Sequence, residues 1–244
     1  MSEIKEKLSA EQIREKLIEK LGPSGWADFL KGFLRSGDFD NIVKFLVQEN
    51  ESGRRFTPAL KQLFTAFELC PVDSVKVVLI GQDPYPQPRV ADGMAFSCSN
   101  TQKPEASLRY MLRAIESTVP TEQRQEVDDI SKCNLDRWAK QGVLLLNTAL
   151  TTEVTKTGKH TDIWRPFLEY VIDMLNFKQS GLVWVLMGKQ AQSFDGIIGD
   201  HHMVSTTTHP AFAAYQRLHE WDCSDVFNKV NAQLAEFKKE IILW

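Results

Sequence analysis

Three short stretches of the chain are almost wholly apolar: residues 75–80, 143–147 and 182–187. Continuous runs of this length, rich in Val, Leu and Ile, predict strands buried on both faces of a parallel sheet. Residues 94–97 and 203–207 add two further strand candidates. Between them the apolar positions recur at helical spacing over 107–117, 134–140, 164–176, 189–194 and 224–239. Alternation of strand and helix argues for a parallel sheet with helices on both faces. The first 70 residues or so read as helices. Ser9 with Gln12 predicts a capping-box start for a helix that ends near Gly22-Pro23. Further helices are predicted over 25–34 and 38–48. Pro58 is predicted in the first turn of a helix that carries Leu60, Leu63, Phe64 and Phe67 on one face. Residues 118–129 are polar and read as a surface connection.

At 244 residues and 43% hydrophobic, the chain can bury a full core, and one domain is expected. The formal charge of −3 supplies no global basic field for nucleic acid, so such binding would need a local basic groove. The four cysteines, Cys70, Cys98, Cys133 and Cys223, show no C-x-x-C spacing. They read as reduced thiols rather than staples or a cluster site. No cluster of His, Cys and carboxylates has metal-ligand spacing, so no metal and no cofactor are expected. No signal peptide is visible in Met-Ser-Glu-Ile-Lys-Glu-Lys and no apolar run reaches transmembrane length. A cytoplasmic location without membrane contact is the expectation.

The run 75–80 leads into Gly81-Gln82-Asp83-Pro84-Tyr85-Pro86. A carboxylate, an amide and an aromatic ring thus sit on a proline-stiffened turn at the C-terminal end of a strand, where open α/β sheets place their ligand crevice. Gly93-Met94-Ala95-Phe96-Ser97, Leu144-Leu145-Leu146-Asn147-Thr148 and His209-Pro210 follow. Together, in this order, these segments resemble the uracil-DNA glycosylase family, of the metal-free family 1 type. The resemblance spans roughly residues 56 to 230. It implies a single α/β domain with a central four-stranded, mostly parallel sheet flanked by helices. Residues 1–55 would form a helical segment packed on a glycosylase-like domain of residues 56–244.

Cleaving an N-glycosidic bond to uracil needs a carboxylate near the cationic sugar, a donor aimed at a base oxygen and a partner for the base edge. It also needs a flat surface for a base taken out of the stack. The resemblance implies that Asp83 orients the attacking water and that a neutral His209 donates to uracil O2. Asn147 would read N3–H and O4, since its amide carries donor and acceptor side by side. Phe96 would stack on the base, Tyr85 would exclude a C5 methyl, and Gln82 would form the pocket wall. Ser107, Gly188, Lys189, Pro210 and Phe212 are the candidates for DNA contacts. Ser107 also reads as a plain helix N-cap, and Lys189 stands where the family has a serine. His160 is expected to be structural or close to a phosphate.

Three positions depart from the family's pattern. Pro86 and Asp92 stand where histidines are usual. The late loop His-Pro-Ser-Pro-Leu-Ser, whose Leu wedges into the duplex, is here His209-Pro210-Ala211-Phe212-Ala213-Ala214-Tyr215. Ala213 occupies the Leu column; Phe212 is large enough to replace it, with Tyr215 or Leu218 in reserve. The implied activity is uracil excision in base-excision DNA repair by a monomer, on single- or double-stranded DNA, with the family's protein inhibitor as a candidate partner. The alternative is a DNA-binding or replication accessory protein on the same fold with weak or no catalysis.

Overall fold

A computed structural model of the chain describes residues 9–222 and 225–244. Cys223 and the start of the helix predicted from residue 224 lie outside them. The N-terminal third is helical: α1 (Ala10–Leu21), α2 (Trp26–Phe29), α3 (Lys31–Leu34) and α4 (Gly37–Glu51). The capping box is formed as predicted, with Ser9 Oγ accepting from Gln12 N and Gln12 Oε1 accepting from Ser9 N. The segment predicted as one helix over 25–34 is instead two single turns broken at Leu30, which adopts a non-helical conformation. A two-residue strand β1 (Phe56–Thr57) precedes Pro58. Pro58 does not open a helix. A 3₁₀ turn (Leu60–Gln62) intervenes before the short α5 (Thr65–Leu69), so the predicted apolar face is split between two elements.

The remaining elements are β2 (Val77–Gly81), α6 (Ala106–Thr118), α7 (Asp136–Ala139), β3 (Val143–Asn147), β4 (Thr152–Glu153), α8 (Thr161–Lys178), β5 (Val183–Met187), α9 (Lys189–Gln192), β6 (Met203–Thr207), α10 (Pro210–Tyr215) and α11 (Val226–Glu236). Strands β3-β2-β5-β6 form one sheet, and all three pairings are parallel. Every residue of β2, β3 and β5 is buried, which is why these strands have no polar alternation. Edge strand β6 is only partly covered and carries Ser205, Thr206 and Thr207. β1 and β4 make a separate antiparallel pair.

The N-terminal helices share their core with the sheet. Phe33, Phe64 and Phe67 all meet Phe167 of α8 at centroid distances of 5.2–5.7 Å. Such edge-on aromatic pairs add about 0.5–1.5 kcal/mol each beyond their area burial. His160, at the N-cap of α8, is buried in this wall. Its Nδ1 lies 2.8 Å from Thr151 Oγ1, which also accepts from Trp164 Nε1 at 2.7 Å. That network assigns His160 a structural place.

Residues 94–97 are not a strand. Asp92 takes their polar groups instead: its Oδ1 accepts from Met94 N, and its Oδ2 accepts from Ser97 Oγ and Ser99 N. Phe96 sits in the left-handed region at φ 64, and Gly93 at φ 98 lies so close to Gln62 O that no Cβ fits. A non-glycine residue held there costs about 1–2 kcal/mol. Among the described residues no helix is long and apolar enough to cross a membrane.

Candidate active site

The chain leaves β2 for β3 on one side and leaves β5 for β6 on the other, so the C-terminal ends of the adjacent strands β2 and β5 flank a crevice. The crevice is a cleft of about 450 Å³. β2 delivers Gln82, Asp83 and Tyr85, β3 delivers Asn147, the turn after Asp92 delivers Phe96, and the β6–α10 junction delivers His209. All six line the cleft, together with Ser107 from the first turn of α6.

Asp83 is held from above. The N–H of Gly158 donates to its Oδ2 at 2.5 Å. The 152–158 segment that carries Gly158 is itself pinned by the β1–β4 pair and by Thr155 N donating to Pro86 O at 2.9 Å. The second oxygen, Oδ1, is buried and accepts no hydrogen bond. Burial raises the pKa of this carboxyl, against the opposing pull of the Gly158 N–H and the Gln82 side chain. A buried carboxylate oxygen without a protein partner is one that a water or a cationic sugar can satisfy.

His209 is the N-cap of α10. Its Nδ1 accepts from Ala211 N at 3.2 Å. Burial lowers its pKa to about 4, so the ring is neutral at pH 7. With Nδ1 used as an acceptor, the proton of the neutral ring sits on Nε2, leaving a donor for the cleft. Gly188 lies against this ring: a Cβ there would stand 2.9 Å from His209 Cβ.

Asn147 is directly opposite Gly81 in the parallel register, and it is 8% exposed. Gly81 has no side chain to fill the space. A Cβ on it would stand 2.7 Å from Asn147 Oδ1 and 3.0 Å from the Phe96 ring. The Phe96 ring in turn lies 5.4 Å from the His209 ring, tilted by 35°. Tyr85 Oη donates to Phe96 O at 3.1 Å, locking the two aromatic walls to each other. Burial pushes the Tyr85 hydroxyl well above its usual pKa, so it remains a donor.

The other predicted residues are placed less uniformly. Ser107 is not the N-cap, a position taken by Glu105; it is buried one residue inside α6. Gly188 and Lys189 do not line the cleft, and Lys189 is exposed at the start of α9. Pro210 is buried as the first residue of α10. Ala213 is 1% exposed and packs inward. Phe212, Tyr215 and Leu218 are 53%, 84% and 42% exposed. Of these only Tyr215 lines the cleft. Sequence reasoning missed Gly158, whose contribution is a backbone N–H from the polar stretch Thr157-Gly158-Lys159, and it missed the turn-building role of Asp92. It also missed Glu105 on the rim. Cys70, Cys98 and Cys133 are buried free thiols. Among the described residues no group of three His, Cys or carboxylate side chains is placed to hold a metal ion.

The model of the uracil DNA glycosylase superfamily matches residues 67–235. A uracil-DNA glycosylase of Acinetobacter baumannii is 35% identical over 96% of this chain and 97% of its own length. The chain belongs to the uracil-DNA glycosylase superfamily. Uracil-DNA glycosylase 1 of Listeria innocua is 33% identical over 90% of this chain and 96% of its own. Among solved structures, the mimivirus uracil-DNA glycosylase superposes with a TM-score of 0.80 at 24% identity, covering 93% of this chain and 88% of its own. A mimivirus variant has been crystallised with UGI, at TM-score 0.77. These structural matches show the fold: one parallel four-stranded sheet with helices on both faces and helices at the N-terminus.

Proposed function

We propose that this chain is a DNA repair enzyme that hydrolyses the N-glycosidic bond of uracil in DNA. The observation that carries the reading is the juxtaposition of three groups in one cleft: the unpartnered Asp83 Oδ1, the neutral His209 with Nε2–H free to donate, and the Asn147 amide. The uridine is turned out of the strand and its base lies against Phe96. Asn147 accepts from N3–H and donates to O4; cytosine presents the reverse order at those positions, so one amide orientation separates the two bases. The Tyr85 ring occupies the space that a C5 methyl would need. As the bond breaks, negative charge on the leaving base is stabilised by His209 Nε2–H at O2, and positive charge on the sugar by Asp83. Asp83 also orients the water that attacks C1′. Ser107 in the first turn of α6 receives a phosphate of the flanking strand. DNA is the partner of this cleft, and a protein inhibitor of the family would dock on the same cleft.

Incubation with a uracil-containing single-stranded oligonucleotide, in excess chelator, tests the reading. Free uracil and an intact sugar–phosphate strand are the expected products. Binding of the oligonucleotide without release of uracil would favour the accessory-protein alternative.

A further inference from the structure

A second recess of about 400 Å³ opens farther along α6 from the active-site cleft. Its walls are Tyr110, Arg113 and Ser117 of α6, and His219, Glu220 and Trp221 from the segment after α10. The N-terminal turn of α6 lines the cleft and its middle lines this recess, so the two lie along one helix. Tyr110 Oη bridges from α6 to Leu218 O at 2.6 Å and fixes the ring between them. The Arg113 guanidinium lies over that ring at 5.7 Å from its centroid, which restrains a side chain that is otherwise exposed.

Arg109 and Arg113 are four residues apart on α6, both exposed, and neither makes a salt bridge among the described residues. Of the nearby acids, Glu116 pairs with Lys132 at 3.7 Å; Glu220, itself a wall of the recess, lies 3.6 Å from His219, and Glu105 on the cleft rim stands four residues before Arg109. Arginines without an ion pair beside the cleft favour a polyanion there even in a chain of net charge −3. Ser107 and Arg113 are six residues apart, so roughly 9 Å along the helix at 1.5 Å per residue. At the roughly 3.4 Å axial rise per nucleotide of a duplex strand, that is about two to three nucleotides.

We propose that this recess seats the substrate strand where it leaves the cleft, with Arg113 meeting a phosphodiester two to three nucleotides from the extruded one and Arg109 as the adjoining charge. The inference rests on the proposed reaction only for where the strand starts. A folded aromatic–arginine pair of this kind gives sequence-independent grip, because it touches phosphate and sugar rather than a base edge. The strand on the opposite side of the uracil does not cross it, so only one flank should depend on Arg113.

The test compares a short single-stranded substrate, with uracil flanked by one nucleotide on each side, against substrates extended on the 5′ or the 3′ side alone. Wild-type KM should fall on one of the two extensions. Arg113→Gln should lose that gain, by about two- to fivefold, the scale of one partly solvated charge contact. The slope of log KM against log salt on that substrate should shrink by about 0.7, one phosphate's share on single strands. Arg113→Lys should restore the slope, and the short substrate should be cleaved with unchanged KM and kcat by all three proteins. Equal effects on short and extended substrates, or on both flanks, would overturn the proposal, as would no effect at all. Fluorescence anisotropy with the same oligonucleotides reads the groove without catalysis. A wild-type protein that binds the favoured extension through Arg113 but releases no uracil would keep this inference and refute the proposed reaction.

Discussion

Gly81→Ala is the sharpest perturbation the site offers, because it alters no functional group. Gly81 ends β2 in extended backbone that alanine adopts freely, so the effect comes from space alone. The added methyl would stand 2.7 Å from Asn147 Oδ1 and 3.0–3.1 Å from two atoms of the Phe96 ring. Ordinary contact lies near 3.5–4.0 Å. The amide and the ring must therefore each move by roughly 0.5–1 Å, and both belong to the surfaces that hold the base. Neither has slack: Phe96 is fixed by its turn and by Tyr85, and Asn147 by its register opposite Gly81. A displacement approaching 1 Å in a positioned group costs up to about 10²-fold in rate, so kcat/KM for uracil release should fall roughly 10- to 100-fold. Overpacking of a buried site costs about 1–3 kcal/mol, or a fall in Tm of a few degrees for a chain of this size. Steady-state release of uracil from a single-stranded oligonucleotide, with a melt of the same preparation, measures both. Gly22→Ala is the control, since a methyl there meets nothing within 4 Å. Wild-type kcat/KM in Gly81→Ala would refute the placement of the base between Asn147 and Phe96.

Asp83→Asn should slow excision by about 10²–10⁴-fold. The same variant should melt higher at pH 7. The folded pKa of Asp83 is raised by burial, so its contribution to stability is full below the unfolded pKa and lost as pH rises through the folded value; removing the charge recovers it. A lower Tm would make the carboxylate structural. Asn147→Asp replaces the donor facing O4 by an acceptor and should exchange uracil release for some cytosine release in a base-release assay; retained uracil preference would mean that another group reads the base. His209 behaves oppositely to Asp83: its pKa is lowered to about 4, so the stability it contributes is present above about 6.5, its unfolded value, and is lost as pH falls through 4. Urea midpoints should drop between pH 6.5 and 4, and drop less in His209→Gln; equal drops would place the titration elsewhere. For duplex substrate, Phe212→Ala and Tyr215→Ala should both reduce activity on U·A duplex more than on single strands, with the larger selective loss at Tyr215, which borders the cleft. Equal losses on both substrates would show that neither side chain fills the gap left by the base.

Much of the site was legible in the chain because its signals are local. Apolar runs of five or six residues, rich in Val, Leu and Ile and free of polar alternation, predict strands covered on both faces, and β2, β3 and β5 are such strands. The C-terminal ends of β2, β3 and β6 carry Asp83, Asn147 and His209 in or within a few residues of the sheet, so a sequence motif sufficed to name them. Met94-Ala95-Phe96 misled, because a buried turn and a buried strand show the same hydrophobicity; the Asp92 carboxylate that bends it is visible only as a contact. Only the tertiary structure brings Gly158 over Asp83, a pairing 75 positions apart through a backbone N–H that no residue type announces. Only it shows that His209 is neutral with its proton on Nε2, since tautomer and burial depend on what packs around the ring. Which of Phe212, Ala213 and Tyr215 borders the cleft was likewise undecidable from order along the chain: the winding of α10 turns Ala213 inward and Tyr215 toward the cleft. Sequence determined the elements and the chemistry at their ends; packing determined which atoms are left without a partner, and those are the atoms available to a substrate.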